Sequence, residues 1–374
     1  MKAALSHLHP YVNGPLPLHP DNFTSVSRTP WGGTYITQEL KKNICPDKYG
    51  QMVGESWELS CESSFPSLIL GTEHTLEALI QKYPKEMLSK EYVKAQETPA
   101  CEILVKILNA ADDLSLQIHP PDDDVFLKPS ESGKHESWFV IHAEEGAGLY
   151  LGFQQGVTWQ EFSTALRTRQ DIKPYLHFIP VKTGDFFEIP HGTCHAVGKG
   201  LVLIEPQRVL HGKKGKTYRI YDWGRLYNER GEKDSHGKPR ELHVEESLKL
   251  INPEKQSGKK YIESLRGAIK TQTFHDGLYI NSYGNNSYYK CHRVRMRKKD
   301  FIFLDVKKGF SSLIPMLGYF SLKTEEGKET YWQKGQSAFL PSACFPLRIE
   351  ALEQSDLFFV SPQGADIHWY VEKT

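Results

Sequence analysis

Short apolar runs rich in Val, Ile, Phe and Tyr, broken by Gly, Pro and Asp, recur over residues 101–205 and again over 279–360. Runs of that kind predict β-strands arranged as sandwich or barrel units. Apolar positions keep helical spacing only over 75–88, 159–169 and 245–250, so helices are expected as additions to a mainly β scaffold. Residues 227–240 are dense in Gly, Lys, Glu and Asp with no apolar period, which predicts an exposed loop. A second polar stretch, 252–260, marks the expected boundary, dividing the chain into units 1–252 and 253–374. No tandem repeat emerges, although two β regions of similar rhythm admit a distant duplication.

The length of 374 residues exceeds the roughly 250–300 at which single cores stop growing, in line with two or three packed units. Lys plus Arg and Asp plus Glu are each 46, so no global field draws the chain to nucleic acid or anionic lipid, and an anionic ligand has to be held locally. The basic run 292–299 alternates with apolar residues and reads as a solvated strand, so no nucleic-acid partner is expected. No run approaches the roughly 18 apolar residues of a spanning helix, and the first twenty residues lack an apolar leader core. The expectation is a cytoplasmic protein without a membrane partner. The six cysteines are scattered without a C-x-x-C pair, which suits free thiols in a reducing compartment.

Three segments carry candidate chemistry. In Leu114-Ser115-Leu116-Gln117-Ile118-His119 a strand would put Gln117 and His119 on one face, since side chains two apart project together. Both are then able to touch one ion, or equally to be ordinary strand polars. In the string running from Gly133 to Val140, Glu136 opens a strongly apolar strand, and a buried carboxylate demands a metal or a salt bridge to a nearby Lys or Arg. Residues 184–195 have the form G-x5-P-x-G-x2-H, in which Gly and Pro shape a tight turn and His195 follows it pointing inward. That string matches the second cupin motif at its Gly, Pro, Gly and His positions, with Lys199 where the motif usually has Asn.

Together these segments resemble the type I mannose-6-phosphate isomerases of the short bacterial class, from Pro30 to about Leu250. Pro30-Trp31-Gly32-Gly33 and Gly54-Glu55-Ser56-Trp57-Glu58 look like the family's N-terminal signatures. They are followed in order by L-S-x-Q-x-H-P, G-K-x-E-x-W and the cupin turn, then by Tyr218 to Asp222 and Lys238 to His243. The resemblance implies a cupin-type β-sandwich or jelly-roll barrel with one zinc ion at Gln117, His119, Glu136 and His195. Such a mixed N/O set also suits Co, Mn or Fe.

The resemblance further implies aldose–ketose isomerisation of a phosphorylated hexose, most simply mannose 6-phosphate and fructose 6-phosphate. This chemistry needs an electrophile for the oxygens and a base for the carbon. Arg219 and Lys134 fall where the family places cations beside the ion. Glu205, ending the apolar run 201–204, matches a family carboxylate near the reacting carbons and is the preferred base; Lys134 is the competing one, and a salt bridge of Glu205 with Arg219 or Arg208 is the alternative. Ser115 faces the same cavity and suits the substrate phosphate, with Lys134 as a further substrate contact and Lys199, Lys213, Lys214 and Lys216 as additional cations.

The chain departs from the family between Glu205 and Arg219, where 206–218 is longer and Gly215 stands in place of an Asp. A different sugar phosphate, or a non-catalytic metal-cupin sensor, therefore stays open beside the isomerase, as does an oxidative cupin using iron. Over 335–344 the chain echoes the cupin turn with Cys344 in place of the His, so the C-terminal unit is expected to be a degenerate cupin-like domain with a structural role. Monomer and homodimer are both compatible with the sequence.

Overall fold

A computed structural model describes residues 12–284 and 286–372. It is mainly β, with cupin-type sheets and short helices between them. Ten strands build the first sandwich: β1 (Glu55–Leu59), β2 (Ile103–Ala110), β3 (Leu116–Ile118), β4 (Glu136–Ala143), β5 (Gly148–Phe153), β6 (Leu176–Pro180), β7 (Phe186–Ile189), β8 (His195–Val197), β9 (Leu201–Arg208) and β10 (Tyr218–Tyr221). One sheet runs β1-β2-β9-β4-β7 and the other β10-β3-β8-β5-β6, and neighbouring strands are antiparallel.

β2, β4 and β9 read as continuous apolar runs because both of their faces are covered. Val202 and Ile204 of β9 join Val105 and Ile107 in a core shared with Tyr283, Cys291, Phe358 and Val360 of the C-terminal unit. Leu201 and Leu203 turn the other way and pack with Trp138, Val140 and Leu149 between the two sheets of the first sandwich. Alternation therefore assigns each residue to one of two cores, and no row of this sheet needs to be polar for solvent's sake.

The C-terminal unit is a second sandwich of a seven-stranded and a five-stranded sheet. The seven-stranded sheet lies between the first sandwich and the outer five-stranded sheet, whose inner face supplies Ile302, Leu304, Phe320, Leu322 and Ile349 to a separate core. Near the N-terminus, Leu16–Pro17 pairs with Ala338–Leu340 and so adds an edge to this C-terminal sheet. Cys344 is buried in a short helical turn, within the core of the second sandwich.

The expected helices form with caps legible in the chain. Leu76–Lys82 is capped by Thr75, whose side chain accepts from the Ala78 N–H, and the segment restarts as Pro84–Leu88 because Pro84 can only open a helix here. Trp159–Arg167 carries a capping box between Thr158 and Glu161. Val244–Leu250 forms as expected, and Gly258–Leu265, not foreseen, packs on β5 and β7. Residues 227–240 depart from a free loop: Tyr227 bridges to Lys233 and Lys238 and is buried, and the Arg240 guanidinium lies over its ring at 5.3 Å. That segment is anchored because Arg240 is clamped by both carboxylate oxygens of Asp222. All six cysteines are free thiols, and no helix among the described residues is long and apolar enough to cross a membrane.

Candidate metal centre and catalytic cavity

The two sheets of the first sandwich each contribute one wall of a cavity of about 260 Å³. From β1, β2 and β9 the alternate residues Glu55, Trp57, Leu104, Lys106, Glu205 and Gln207 face it, with Glu136 from β4. From the opposite sheet come Ser115, Gln117 and Arg219. Gln117 is the Cα partner of His195 on one side and of Arg219 on the other, so strand pairing alone brings these three to one level.

His119, Glu136 and His195 converge behind this wall, fully buried. Nε2 of His119 is 3.1 Å from Oε2 of Glu136, and Nε2 of His195 is 3.8 Å from the same oxygen. The tautomers follow from the outer partners. Nδ1 of His119 meets the Lys216 carbonyl at 3.2 Å and Nδ1 of His195 the Thr193 carbonyl at 2.8 Å, and a carbonyl only accepts, so each Nδ1 holds the proton. Both Nε2 lone pairs and Glu136 Oε2 then point at one another, and none of the three has a hydrogen-bond partner among the described residues. Three buried acceptors facing one another repel unless a cation lies between them, so this donor set fits a metal ion and fits little else. The carbonyls on Nδ1 supply the orienting outer contacts that metal-bound imidazoles use.

Electrostatics agree with a pre-formed ligand set. Burial pushes His119 down to about 3, against the pull of Glu136, so its imidazole is neutral at pH 7; burial lowers His195 as well. For Glu136 burial acts upward, but the charges of His119 and Lys134 outweigh it and hold the carboxyl well below its ordinary range. With His119 neutral at physiological pH, Lys134 is the cation that keeps Glu136 ionised there. Its Nζ sits 2.6 Å from Glu136 Oε1, the salt bridge weighed as an alternative from sequence, and this pairing leaves Oε2 free.

Glu205 is buried beside this group and is paired with neither arginine considered from sequence. Arg208 is engaged with Asp122, and Arg219 donates to Ser115 Oγ at 3.4 Å and to the Glu241 carbonyl at 3.0 Å. Trp138 Nε1 instead donates to Glu205 Oε1 at 3.0 Å, and Lys106 Nζ lies 3.6 Å from Oε2. Burial and then the nearby charge of Glu136 push this carboxyl up to about 8, with Lys106 and Lys134 pulling the other way.

Of the additional lysines, none lines this cavity. Lys213 and Lys214 border a neighbouring groove with Lys128 and His211, Lys216 pairs with Glu131, and the Lys199 backbone is tied to Asp113. Lys106, Gln207, Arg28 and Arg240 line the cavity and were not singled out from sequence. For Lys106 a signal existed: a lysine inside the apolar run Ile103–Ala110 is as costly to bury as Glu136. Gln207 follows Glu205 by two on one strand and shares its face by the same alternation that linked Gln117 to His119.

Known proteins share sequence and fold with this chain. The sequence profile of the phosphomannose isomerase type I catalytic domain matches residues 23–144. The mannose-6-phosphate isomerase of Streptococcus mutans is 33% identical over 221 residues, 59% of this chain and 64% of that protein, so the matched segment spans less than two thirds of that relative. YvyI of Bacillus subtilis, provisionally named a mannose-6-phosphate isomerase, is 30% identical over 259 residues, 68% of this chain and 74% of that protein. The crystal structure of the mannose 6-phosphate isomerase from Bacillus subtilis superposes with a TM-score of 0.73 at 25% identity, covering 93% of this chain and 99% of that one.

Proposed function

Since the chain belongs to the type I phosphomannose isomerase family, we propose that it interconverts mannose 6-phosphate and fructose 6-phosphate at a zinc site made by Gln117, His119, Glu136 and His195. The observation that carries this reading is the meeting of three unpartnered, buried lone-pair atoms beside the buried carboxyl of Glu205, which burial raises above its ordinary range. Bound at these residues, a zinc ion would supply charge stabilisation for the two sugar oxygens at C1 and C2.

The protein's own part is a proton transfer between two adjacent carbons. Trp138 Nε1 donates to Glu205 Oε1, and Oε2 has Lys106 Nζ at 3.6 Å, in a residue that lines the cavity. In its ionised form the Glu205 carboxylate takes the proton from C2 of the open-chain aldose, and the C–H pair forms the C1–C2 double bond as the C1 carbonyl pair moves onto O1. The O2 hydroxyl proton passes to O1, and as the C2 carbonyl forms the double-bond pair takes the same proton back from Glu205 at C1. Burial raises this carboxyl above the ordinary carboxylate range, which makes it a stronger base than an exposed one. Lys106 beside Oε2 favours the ionised form, while Lys134 and Arg219 add positive charge along the cavity wall. The Ser115 hydroxyl and the Arg219 guanidinium, adjacent on β10 and the lead-in to β3, form the polar end that takes the phosphate.

The test is turnover of mannose 6-phosphate by zinc-loaded protein beside His119→Ala and Glu205→Gln. Chelator-sensitive turnover that both substitutions abolish or cut severely supports the isomerase. Stoichiometric zinc without turnover overturns this substrate and favours another sugar phosphate or the non-catalytic sensor, a reading motivated by the altered 206–218 segment.

A further inference from the structure

Gln207 is almost fully buried, faces the cavity, and is the Cα partner of Glu136 across β9 and β4. Its amide nitrogen donates to Glu136 Oε1. That contact settles the orientation of the amide, because an ionised carboxylate oxygen only accepts. Oε1 of Glu136 thus receives two donors, Gln207 Nε2 and Lys134 Nζ, while Oε2 receives none. The other end of Gln207 is the anomaly: its Oε1 is buried and has no hydrogen-bond partner among the described residues. A neutral amide oxygen left this way costs free energy that a docking donor recovers. The ligand class proposed above is rich in such donors, since every free sugar hydroxyl offers one.

We propose that Gln207 is a two-ended positioning residue. Its NH2 group, with Lys134, saturates Glu136 Oε1 so that the carboxylate meets the ion through Oε2 alone, and its carbonyl accepts the hydrogen of a hydroxyl on the bound sugar. One side chain thereby ties the orientation of a metal ligand to the orientation of the substrate. The first half rests only on the metal site; the second rests also on the sugar-phosphate reading.

The test uses the full chain loaded with zinc, with Gln207→Met, which keeps the volume and loses both polar ends, and Gln207→Asn, which keeps the amide on a shorter arm. Zinc release to a chelator is expected to quicken roughly 10-fold or more in Gln207→Met, with a smaller effect in Gln207→Asn, as the loss of an outer contact to a metal ligand usually does. KM for mannose 6-phosphate is expected to rise about 5- to 10-fold in Gln207→Met, the loss of one neutral hydrogen bond. For a mannose 6-phosphate analogue lacking the partner hydroxyl, at C3 or C4, wild type and Gln207→Met should bind alike. Zinc release at the wild-type rate in both variants overturns the first half. An unchanged KM, or a loss that persists equally with every deoxy analogue, overturns the second. If the wild-type protein turns over no mannose 6-phosphate, the isomerase reading fails separately, and the zinc-release arm still decides the first half.

Discussion

A Cβ on residue 215 would lie 2.8 Å from Cδ and 3.2 Å from Cγ of Lys134, so the stem of this lysine runs directly beneath the backbone of Gly215. A side chain here, where the family has aspartate, would have to displace this lysine stem. Along this path Lys134 Nζ reaches Glu136 Oε1 at 2.6 Å. Gly215→Ala is expected to displace the lysine stem and lower kcat/KM for the sugar phosphate roughly 10- to 100-fold, since about 1 Å of misplacement is enough for such a loss. Steady-state kinetics check this, and an unchanged kcat/KM would show that the lysine path is not critical.

Metal removal should cost stability as well as activity. The three atoms facing one another are held apart only by protein packing when no cation is present. Thermal unfolding of chelator-treated protein is expected at a lower temperature, with restoration by zinc; at a free concentration of one hundred times Kd the gain is about 2.7 kcal/mol. His195→Ala should lose most of that zinc-dependent shift. A shift of wild-type size in His195→Ala would remove this histidine from the ligand set.

The pH dependence of the metal-free protein follows from Glu205. Its carboxyl is raised from 4.5 to about 8 by burial and by Glu136. A raised carboxyl favours folding in its protonated form, so its contribution is present below about 4.5 and is lost as pH rises through about 8. Within that window wild type should lose stability relative to Glu205→Gln, at up to about 1.4 kcal/mol per pH unit for one proton. Denaturant unfolding of both proteins at pH 5, 6.5 and 8 measures the difference; parallel curves would mean that Glu205 does not titrate in this range.

Lys106 tunes the same carboxyl, 3.6 Å from one of its oxygens and stacked over Trp57 at 4.8 Å. Lys106→Met withdraws the cation that favours the ionised form, so the pH at which turnover rises should move upward. At pH 7 kcat is expected to fall roughly 10-fold, as for a partly lost general base, with recovery in more alkaline buffer. A uniform loss at every pH would argue for a packing role.

Legibility divides along the range of the interactions. Gln117 and His119 were paired by strand alternation and His195 by a Gly–Pro turn, both of which are local rules. Glu136 stood out because a carboxylate inside an apolar run has to find a partner. Lys106 obeyed the same rule and was passed over, since no motif framed it. The segment 227–240 looked free because its anchor is long-range: Arg240 reaches back to Asp222, and Tyr227 packs beneath that guanidinium.

The order and spacing of residues thus determined by themselves that the protein is a mainly β scaffold with a few helices, that Gln117 and His119 share a strand face, that Glu136 opens an apolar strand and that His195 follows a Gly–Pro turn. The cupin-type fold and the reading of these four as ligands of one ion came from the family resemblance. Alternation, turn stereochemistry and the cost of burying charge act over a few residues and are written in the chain. Only the tertiary structure decided what surrounds them: that Trp138 and Lys106 rather than an arginine attend Glu205, that Lys134 passes under Gly215, and that Gln207 joins Glu136 with one end still unpaired. Those relations join residues tens of positions apart, and they exist only once strand pairing and sheet packing have chosen which faces meet.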